Sequence, residues 1–186
     1  KIGSIGVPLP NTEVMIVDPQ TERPLTTNQN GEIWIRGPQI MKGYLNRPEA
    51  TNESITKEGW YRTGDIGYVD EEGFFYAVDR IKELIKYKGM QVAPAELEAL
   101  LLTHPSVSDV AVIPVTDEAA GELPKAIVVM KSGLTLTAED IMSFVAEEVA
   151  PHKKIRLVEF VEKIPKSASG KILRRGLIQK EREKQN

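Results

Sequence analysis

The sequence predicts an α+β fold in two parts. The first is an antiparallel β-rich segment over residues 1–80, and the second is a small α+β domain over residues 81–186 with a central sheet flanked by helices. Two observations support this division. Up to about residue 80, short β-rich runs are separated by turn residues, whereas from residue 81 strand-like runs alternate with apolar residues at helical spacing.

The first part contains predicted strands and one short helix. Runs rich in β-branched and aromatic side chains predict strands over residues 13–17, 32–36 and 74–78. Asn30-Gly31 is a turn signal between two of them, and a short helix is predicted after Arg47-Pro48. We expect an antiparallel module with a modest core, whose first strands pair with residues outside the given sequence.

The second part mixes strands with helices. Strands are predicted over residues 107–115, 125–130 and 157–161. A helix begins at Pro94 and stops before His104-Pro105, and Thr137 caps another helix. A final helix is predicted to follow Ser169, with Leu173 and Leu177 facing inward.

Composition excludes several classes of protein. The apolar fraction of 41% and the charged fraction of 27% are ordinary for a globular domain, and no apolar run reaches the roughly 20 residues of a membrane span. The absence of cysteine excludes disulfides and thiolate metal sites, and two histidines are too few for a zinc cluster. A net charge of −3 argues against non-specific nucleic-acid binding. Because the sequence opens at Lys1 without methionine, we expect a cut inside a larger protein.

The first polar constellation spans residues 61–67 and places Asp65 between Gly64 and Gly67. We interpret it as a tight turn. An aspartate held there suits the acceptance of two hydrogen bonds from neighbouring hydroxyls, as on a ribose. The alternative is a Gly-Asp turn without a ligand, since aspartate is common in turns. The residues alone leave both interpretations open.

The second constellation spans residues 79–91 and is rich in lysine. In an extended strand, the two-residue period would place Lys82, Lys86, Lys88 and Met90 on one face. Three ammonium groups on that face would repel one another unless they were solvated or faced an anion. The alternative is a charged edge strand that blocks aggregation. Gly89 permits close approach of the backbone, as a narrow ligand channel would require.

The third constellation spans residues 165–172 and superficially resembles a phosphate-binding P-loop. Pro165 and Ile172 stand where that pattern requires Gly and Ser or Thr, so the segment is not a P-loop. What remains is a flexible loop that presents Lys171 at the entrance of a helix, where the helix dipole opposes a cation. We therefore expect Lys171 to serve something other than local stability. The alternative is a solvated basic helix, since residues 163–186 contain eight Lys or Arg against two Glu.

In this order, the three constellations resemble the adenylate-forming superfamily of acyl-CoA synthetases, peptide-synthetase adenylation domains and luciferases. The strings Tyr-Arg-Thr-Gly-Asp, Asp-Arg-Ile-Lys-Glu-Leu-Ile-Lys-Tyr-Lys-Gly and Pro-Lys-Ser-Ala-Ser-Gly-Lys carry the resemblance, which covers essentially the whole chain. Further strings at residues 43–51, 91–98 and 120–124 resemble most the 4-coumarate–CoA ligase group and its luciferase relatives.

The resemblance implies a two-step ligase. A carboxylate attacks the α-phosphate of Mg·ATP to give acyl-AMP and pyrophosphate, and the thiol of CoA then attacks acyl-AMP to give a thioester and AMP. It implies that Asp65 and Arg80 hold the ribose hydroxyls, and that Lys171 bridges the substrate carboxylate and the α-phosphate in the first step. Lys82 would lie at a hinge and also near the nucleotide.

The remaining implied roles belong to the second step. Lys86 would meet the adenylate in a second conformation, Gln91 would contact the adenylate, and Lys88 and Gly89 would line the path for CoA. The resemblance further implies that residues 1–80 end a large AMP-binding domain and that residues 81–186 are a moving lid. ATP and Mg²⁺ would be bound mainly by the large N-terminal domain, CoA would be a co-substrate, and this chain would hold no metal.

The sequence leaves three other functions open. The first is a luciferase-type oxygenase, which shares the adenylation step. The second is a peptide-synthetase adenylation domain, which the absence of a following carrier domain disfavours. The third is a non-catalytic module that uses the basic C-terminal helix to bind an acidic partner or nucleic acid. The expected partners are the N-terminal domain of the same polypeptide and a small carboxylic acid with ATP and CoA, and the expected compartment is the cytoplasm, since the sequence does not end in Ser-Lys-Leu.

Overall fold

The computed structural model describes residues 1–185 and divides into two compact units, Lys1–Lys82 and Glu83–Asn186. The last residue of the predicted second part, Asn186, lies outside the described residues. The mixed α+β class predicted from the sequence is confirmed, with an antiparallel sheet in the first unit and a sheet flanked by helices in the second.

The first unit is built on a four-stranded antiparallel sheet in the order β1-β2-β3-β4. Its elements are β1 (Glu13–Val17), β2 (Gly31–Arg36), the short helix α1 (Pro48–Ser54), β3 (Tyr61–Val69) and β4 (Phe75–Arg80). Ile16, Ile33 and Phe75 form its buried core. The predicted strands at 13–17 and 32–36 and the helix after Pro48 are therefore confirmed, and the predicted strand at 74–78 begins one residue later and continues to Arg80.

The interpretation of Gly64-Asp65 as a tight turn is wrong. Both residues lie inside β3, which pairs with β2 on one side and with β4 on the other. The β2–β3 register shifts between Glu32 and Trp34, so that a bulge forms opposite Ile33. Gly64 lies in this bulge with φ +73°, a conformation that glycine adopts at little cost.

The second unit contains a five-stranded sheet in the order β6-β5-β8-β7, with β9 parallel to β8. Its strands are β5 (Ile85–Tyr87), β6 (Met90–Val92), β7 (Val107–Asp117), β8 (Gly121–Met130) and β9 (Leu157–Phe160). Short 3₁₀ turns occupy Ile81–Glu83 and Pro151–Lys153. The longest pairing in this sheet is the antiparallel one between β7, at one edge, and β8, which also pairs with β5 and β9.

Helices cover both faces of the second sheet: α2 (Pro94–Leu101), α3 (Ala138–Glu148) and α4 (Arg174–Gln185). Along β7 the side chains alternate, so that Val110 and Val112 join the core with α2 and α3 while Ala111 and Ile113 join a second core with α4. Burial on both faces explains why β7 reads as a nearly continuous apolar run.

Local signals set the starts of two helices. Thr137 caps α3, as the sequence predicted, and the cap is a reciprocal capping box with Asp140. Pro94 occupies the first turn of α2, where its missing N–H is tolerated. No helix within residues 1–185 has the length and apolar character needed to cross a bilayer.

Two predictions for the second unit are wrong. Residues 82–90 do not form one extended strand, because a 3₁₀ turn ends at Glu83 and a turn at Lys88-Gly89 reverses the chain between β5 and β6. The final helix begins at Arg174 rather than directly after Ser169, so Leu173 precedes it and is 48% exposed instead of facing inward. Leu177 is buried, as predicted.

Candidate functional site

In the first unit, Asp65 and Arg80 form an ion pair across neighbouring strands. They are direct partners in the β3–β4 register, and Arg80 Nε lies 3.3 Å from Asp65 Oδ1. Their side chains are 41% and 58% exposed, respectively, so both remain open to a ligand. The Asp65 N–H donates to the Thr63 hydroxyl at 3.0 Å, which constrains the backbone at the aspartate. The structure therefore brings together the two residues to which the sequence resemblance assigns ribose binding.

In the second unit, Lys86, Lys88, Gly89 and Gln91 lie in one β-hairpin. Lys86 and Gln91 are cross-strand partners in the β5–β6 ladder, and both side chains are exposed. Lys88 and Gly89 form the two-residue turn with φ of 49° and 78°, the positive values that a type I′ hairpin turn requires. A lysine with positive φ is uncommon, and this conformation separates Lys88 from the face that Lys86 occupies.

Neighbouring strands hold the hairpin from its backbone. The Lys86 N–H donates to Glu122 Oε2 at 2.7 Å, and the Lys88 N–H donates to the Ala120 carbonyl at 2.7 Å. The Lys88 ammonium lies 5.7 Å from the centre of the Tyr87 ring, and the Arg156 guanidinium lies 4.8 Å from the same ring centre. The main chain is thus fixed while the Lys86 side chain extends into solvent.

Lys82 lies in the 3₁₀ turn between the first sheet and the hairpin. Its side chain is exposed, and it is the last residue of the first compact unit. The chain passes from one unit to the other between Lys82 and Glu83.

Lys171 lies at the end of a closed loop that precedes α4. An antiparallel bridge between Lys166 and Ile172 closes the base, and the Ser167 N–H donates to the Lys171 carbonyl at 2.8 Å. Gly170 has φ +81°, and the Lys171 N–H donates to the Ser167 hydroxyl at 3.1 Å. The Lys171 side chain is exposed and has no polar partner within residues 1–185, so the loop fixes its backbone and leaves its ammonium available.

Ion pairs anchor both limbs of this loop. On one limb, Lys166 Nζ lies 2.7 Å from Asp109 Oδ2 of β7. On the other limb, the Arg174 guanidinium bridges Glu83 at 2.6 Å and Glu98 at 2.5 Å. The role of Arg174 is not evident from the sequence, where this residue is one cation of a basic run. Its distant partners, which become neighbours only in the fold, show that it is structural.

The comparisons with known proteins cover both units. The family model described as AMP-binding enzyme matches residues 1–45, and the one described as AMP-binding enzyme C-terminal domain matches residues 96–171. The chain belongs to the AMP-binding enzyme family. Lys171 is the last residue that the C-terminal family model covers.

Relatives of this AMP-binding family chain include plant ligases. 4-Coumarate–CoA ligase 2 of Nicotiana tabacum is 58% identical over 177 residues, which are 95% of this chain and 32% of that enzyme. 4-Coumarate–CoA ligase-like 4 of Oryza sativa subsp. japonica is 57% identical over 178 residues, or 96% of this chain and 32% of that protein. The chain therefore spans about a third of the length of these two relatives.

A solved structure of the same family agrees with the fold. ATP-bound MatB from Rhodopseudomonas palustris matches with a TM-score of 0.92 at 30% identity, covering 99% of this chain and 37% of MatB. At this identity and score, the likeness supports the family assignment as well as the fold.

The basic C-terminal segment of this family member is only partly a free cationic surface. Arg174 is engaged by carboxylates at the start of α4, and Lys184 lies 2.6 Å from Glu159 near its end. Arg175, Lys180 and Arg182 are exposed. No group of three or more His, Asp or Glu suited to hold a metal ion occurs within residues 1–185.

Proposed function

We propose that this chain is the C-terminal part of an AMP-forming carboxylic acid–CoA ligase. The observation that carries the proposal is the 58% identity, over 95% of the chain, with an enzyme named 4-coumarate–CoA ligase. The reaction has two steps, in which acid and ATP give acyl-AMP and pyrophosphate, and acyl-AMP and CoA give the thioester and AMP.

The proposed domain assignment divides the chain near the hinge. Residues 1–80 are the β-rich end of the large AMP-binding domain, and residues 81–186 are the lid. The boundary between the two compact units, at Lys82–Glu83, supports placing the hinge at Lys82. A 3₁₀ turn there has little internal hydrogen bonding, so it can absorb a change in φ and ψ.

In the first step, Asp65 accepts hydrogen bonds from the ribose hydroxyls. Arg80 holds the Asp65 carboxylate in place and donates to the same nucleotide. The Lys171 ammonium approaches the carboxylate of the acid substrate and the α-phosphate of ATP. It lowers the repulsion between two anions as the new C–O–P linkage forms. The exposure of Lys171, on a loop whose backbone is fixed, supports this role.

In the second step, the hairpin replaces the Lys171 loop. Lys86 contacts the adenylate from one strand, Gln91 contacts it from the other, and Lys88 with Gly89 lines the CoA path. The cross-strand pairing of Lys86 with Gln91 supports a joint role, since partners on one face of a hairpin can reach the same group.

The proposed substrates and partners follow from the same assignment. The chain acts with the large N-terminal domain of its own polypeptide, a small carboxylic acid, ATP and CoA. Mg²⁺ would accompany ATP and neutralise charge on its phosphates. The residues of this chain bind the ribose and contact the substrate carboxylate, and the lid changes its position between the two steps. We place the enzyme in the cytoplasm and expect neither a nucleic-acid partner nor a membrane span.

The test is product analysis with the full-length ligase and a panel of carboxylic acids. We expect ATP- and CoA-dependent formation of AMP, pyrophosphate and an acyl-CoA, with 4-coumarate the first acid to try because the tobacco relative is named for it. ADP in place of AMP, or no acid-dependent pyrophosphate release across aromatic and fatty acids, would refute the proposal.

A further inference from the structure

Glu32 is a buried carboxylate to which the proposed function assigns no role. It lies in β2 and is only 7% exposed, although glutamate is rarely buried without partners. Its position next to the bulge in β3 places it beside the segment that carries Asp65.

Both carboxylate oxygens of Glu32 accept hydrogen bonds. Oε1 accepts from the Gly64 N–H at 2.9 Å, and Oε2 accepts from the Trp34 indole N–H at 2.7 Å. Gly64 directly precedes Asp65, so one of these bonds fixes the Thr63–Gly64 peptide, one residue before the aspartate. The other bond fixes the carboxylate itself against a tryptophan that is only 6% exposed.

A second pair of hydrogen bonds completes the support of the bulge. The Thr63 hydroxyl donates to the Ile33 carbonyl at 2.8 Å and accepts from the Asp65 N–H at 3.0 Å. Residues 62 and 66 pair with β2 on either side, so the segment between them is held by these side chains instead of the ladder. Meanwhile Asp65 keeps its pairing with Arg80 on the opposite strand.

We propose that Glu32 is a positioning residue that, through the hydrogen bonds of the Thr63–Asp65 bulge, aims the Asp65 carboxylate at the two hydroxyls of the ribose. This inference rests on the proposed ribose role of Asp65. Glu32 does not touch the nucleotide. It acts by fixing the backbone from which the Asp65 side chain projects.

The chemistry explains why a carboxylate is needed at position 32. A carboxylate only accepts hydrogen bonds, and here two N–H donors point at it. Glutamine has the same shape, but its amide nitrogen is a donor. In Glu32→Gln this NH₂ group would therefore face the N–H of either Gly64 or Trp34, and one hydrogen bond would be lost. Losing a hydrogen bond to a charged group inside a protein costs about a tenfold change or more in a linked equilibrium.

The test compares ATP with 2′,3′-dideoxyATP in pyrophosphate exchange by the full-length ligase. The measured quantity is the ratio of kcat/KM for ATP to kcat/KM for the dideoxy analogue. Asp65→Ala should lower this ratio, because the analogue has no hydroxyls to lose. Glu32→Gln and Thr63→Val should lower the same ratio by about tenfold, with the change in KM for ATP rather than in kcat.

Glu13→Gln is the matched control, since it makes the same chemical change at the exposed Glu13–Arg36 pair of the same sheet. It should leave the ratio at the wild-type value. Thr63→Val keeps the test decisive if Glu32→Gln fails to fold, because it removes hydrogen bonds from the same bulge without touching the carboxylate. Amide exchange at Gly64 in the 186-residue chain gives a readout independent of activity, and it should accelerate in Glu32→Gln.

The outcomes separate the two proposals. If Asp65→Ala leaves the ratio unchanged, the ribose role of Asp65 is wrong. If Asp65→Ala lowers it while Glu32→Gln and Thr63→Val do not, Asp65 binds the ribose and the positioning role of Glu32 is overturned. An equal loss with both nucleotides in Glu32→Gln would also overturn it, because a merely structural defect does not distinguish the hydroxyls.

Discussion

Lys171 and Lys86 share a feature that many other lysines of the second unit lack. Carboxylates bind the ammonium groups of four of these lysines: Lys125, Lys153, Lys166 and Lys184. By contrast, the ammonium groups of Lys171 and Lys86 have no polar partner within residues 1–185. Their backbones are nevertheless fixed by hydrogen bonds to Ser167 and Glu122. A cation with a fixed base and a free end is suited to meet an anion that arrives during a reaction.

From this we predict that the two lysines serve different steps. In the full-length ligase, Lys171→Ala should lower acyl-AMP formation by about 100- to 1,000-fold, since it removes a charge aimed at the developing transition state. It should largely spare thioester formation from supplied acyl-AMP. Lys86→Ala should show its main loss in thioester formation. Pyrophosphate exchange measures the first step, and acyl-CoA formation from synthetic adenylate measures the second.

The control is Lys163→Ala, which removes an exposed cation of the same basic segment. It should leave both half-reactions unchanged. Equal losses of both steps in Lys171→Ala and Lys86→Ala would contradict the division of labour between the loop and the hairpin.

The two glycines that flank Asp65 are constrained in different ways. A Cβ at Gly67 would lie 2.2 Å from the Tyr76 carbonyl oxygen and 2.7 Å from Ile33 Cδ1, so there is no room for it. A Cβ at Gly64 would meet nothing within 4 Å, and only its φ of +73° disfavours a side chain.

We therefore predict that Gly67→Ala destabilises the first unit more than Gly64→Ala. The cost at Gly64 should be about 1–2 kcal/mol for the left-handed backbone, and the cost at Gly67 should exceed ~3 kcal/mol, because backbone in a central strand must move. Urea unfolding followed by tryptophan fluorescence measures this, since Trp34 and Trp60 both lie in the first unit. Equal midpoints for the two variants would contradict the steric account.

At the scale of elements, the parts that sequence predicted best are those set by local chemistry. The capping box of Thr137 with Asp140 acts within one helical turn, so the start of α3 was readable. The strand β3 was missed, because Gly64, Asp65 and Gly67 are typical of turns and only pairing on both sides holds them extended. The start of α4 was misplaced, because the bridge between Lys166 and Ile172 delays it by several residues.

The turn between β5 and β6 was also missed, because a distant contact supports it. Lys88-Gly89 is not a common turn pair, and a positive φ at lysine is disfavoured in isolation. The hydrogen bond from the Lys88 N–H to Ala120 of the neighbouring connection supports this conformation. Such a contact joins residues far apart in sequence, so periodicity predicted a continuous strand instead.

A buried ion cluster joins α4 to strands β8 and β9 of the second sheet. Lys125 on β8 is 9% exposed at its side chain, and its ammonium lies 2.6 Å from Glu181 of α4 and 2.7 Å from Glu159 of β9. Burial alone would lower the pKa of Lys125, but the hydrogen bonds to Glu159 and Glu181 outweigh it and raise the pKa above its ordinary value. Hydrogen bonds from Lys125 and then Lys184 hold the pKa of Glu159 below its usual range.

We predict that Lys125→Met destabilises the 186-residue chain by about 3–5 kcal/mol at pH 7, because it leaves two carboxylates without their buried cation. In wild type, the depressed pKa of Glu159 contributes stability above the ordinary range of glutamate, and this contribution is lost as pH falls through the folded pKa. The raised pKa of Lys125 contributes stability that is lost only at strongly alkaline pH. The difference in unfolding free energy between the variant and the wild type should therefore become smaller as the pH falls from ~5 to ~3.

Thermal unfolding by circular dichroism across this pH range provides the measurement. Lys184→Met is the matched control, since Lys184 contacts the same Glu159 but is 55% exposed, and exposed pairs contribute about 1 kcal/mol or less. A gap for Lys125→Met that stays constant down to pH ~3 would show that the loss comes from packing and not from charge.

At the scale of the whole molecule, the site residues predicted from the sequence fall into three groups that are divided between the two units. The Asp65–Arg80 pair belongs to the first unit, and the hairpin and the Lys171 loop belong to the second. The candidate site residues could be identified from the sequence because the polar strings that contain them are long. Their supports, Glu32 and Arg174, were not, because each acts through partners distant in sequence.

We predict that residues 1–186 alone do not catalyse ATP–pyrophosphate exchange above background with any carboxylic acid. The chain spans about a third of the length of the tobacco ligase, so we expect most of the ATP-binding domain to lie outside these residues. The matched control is the same chain carrying Lys171→Ala, which should give the same background. The full-length ligase should restore exchange. Turnover by the 186-residue chain that disappears in Lys171→Ala would show that these residues form a complete adenylation site by themselves.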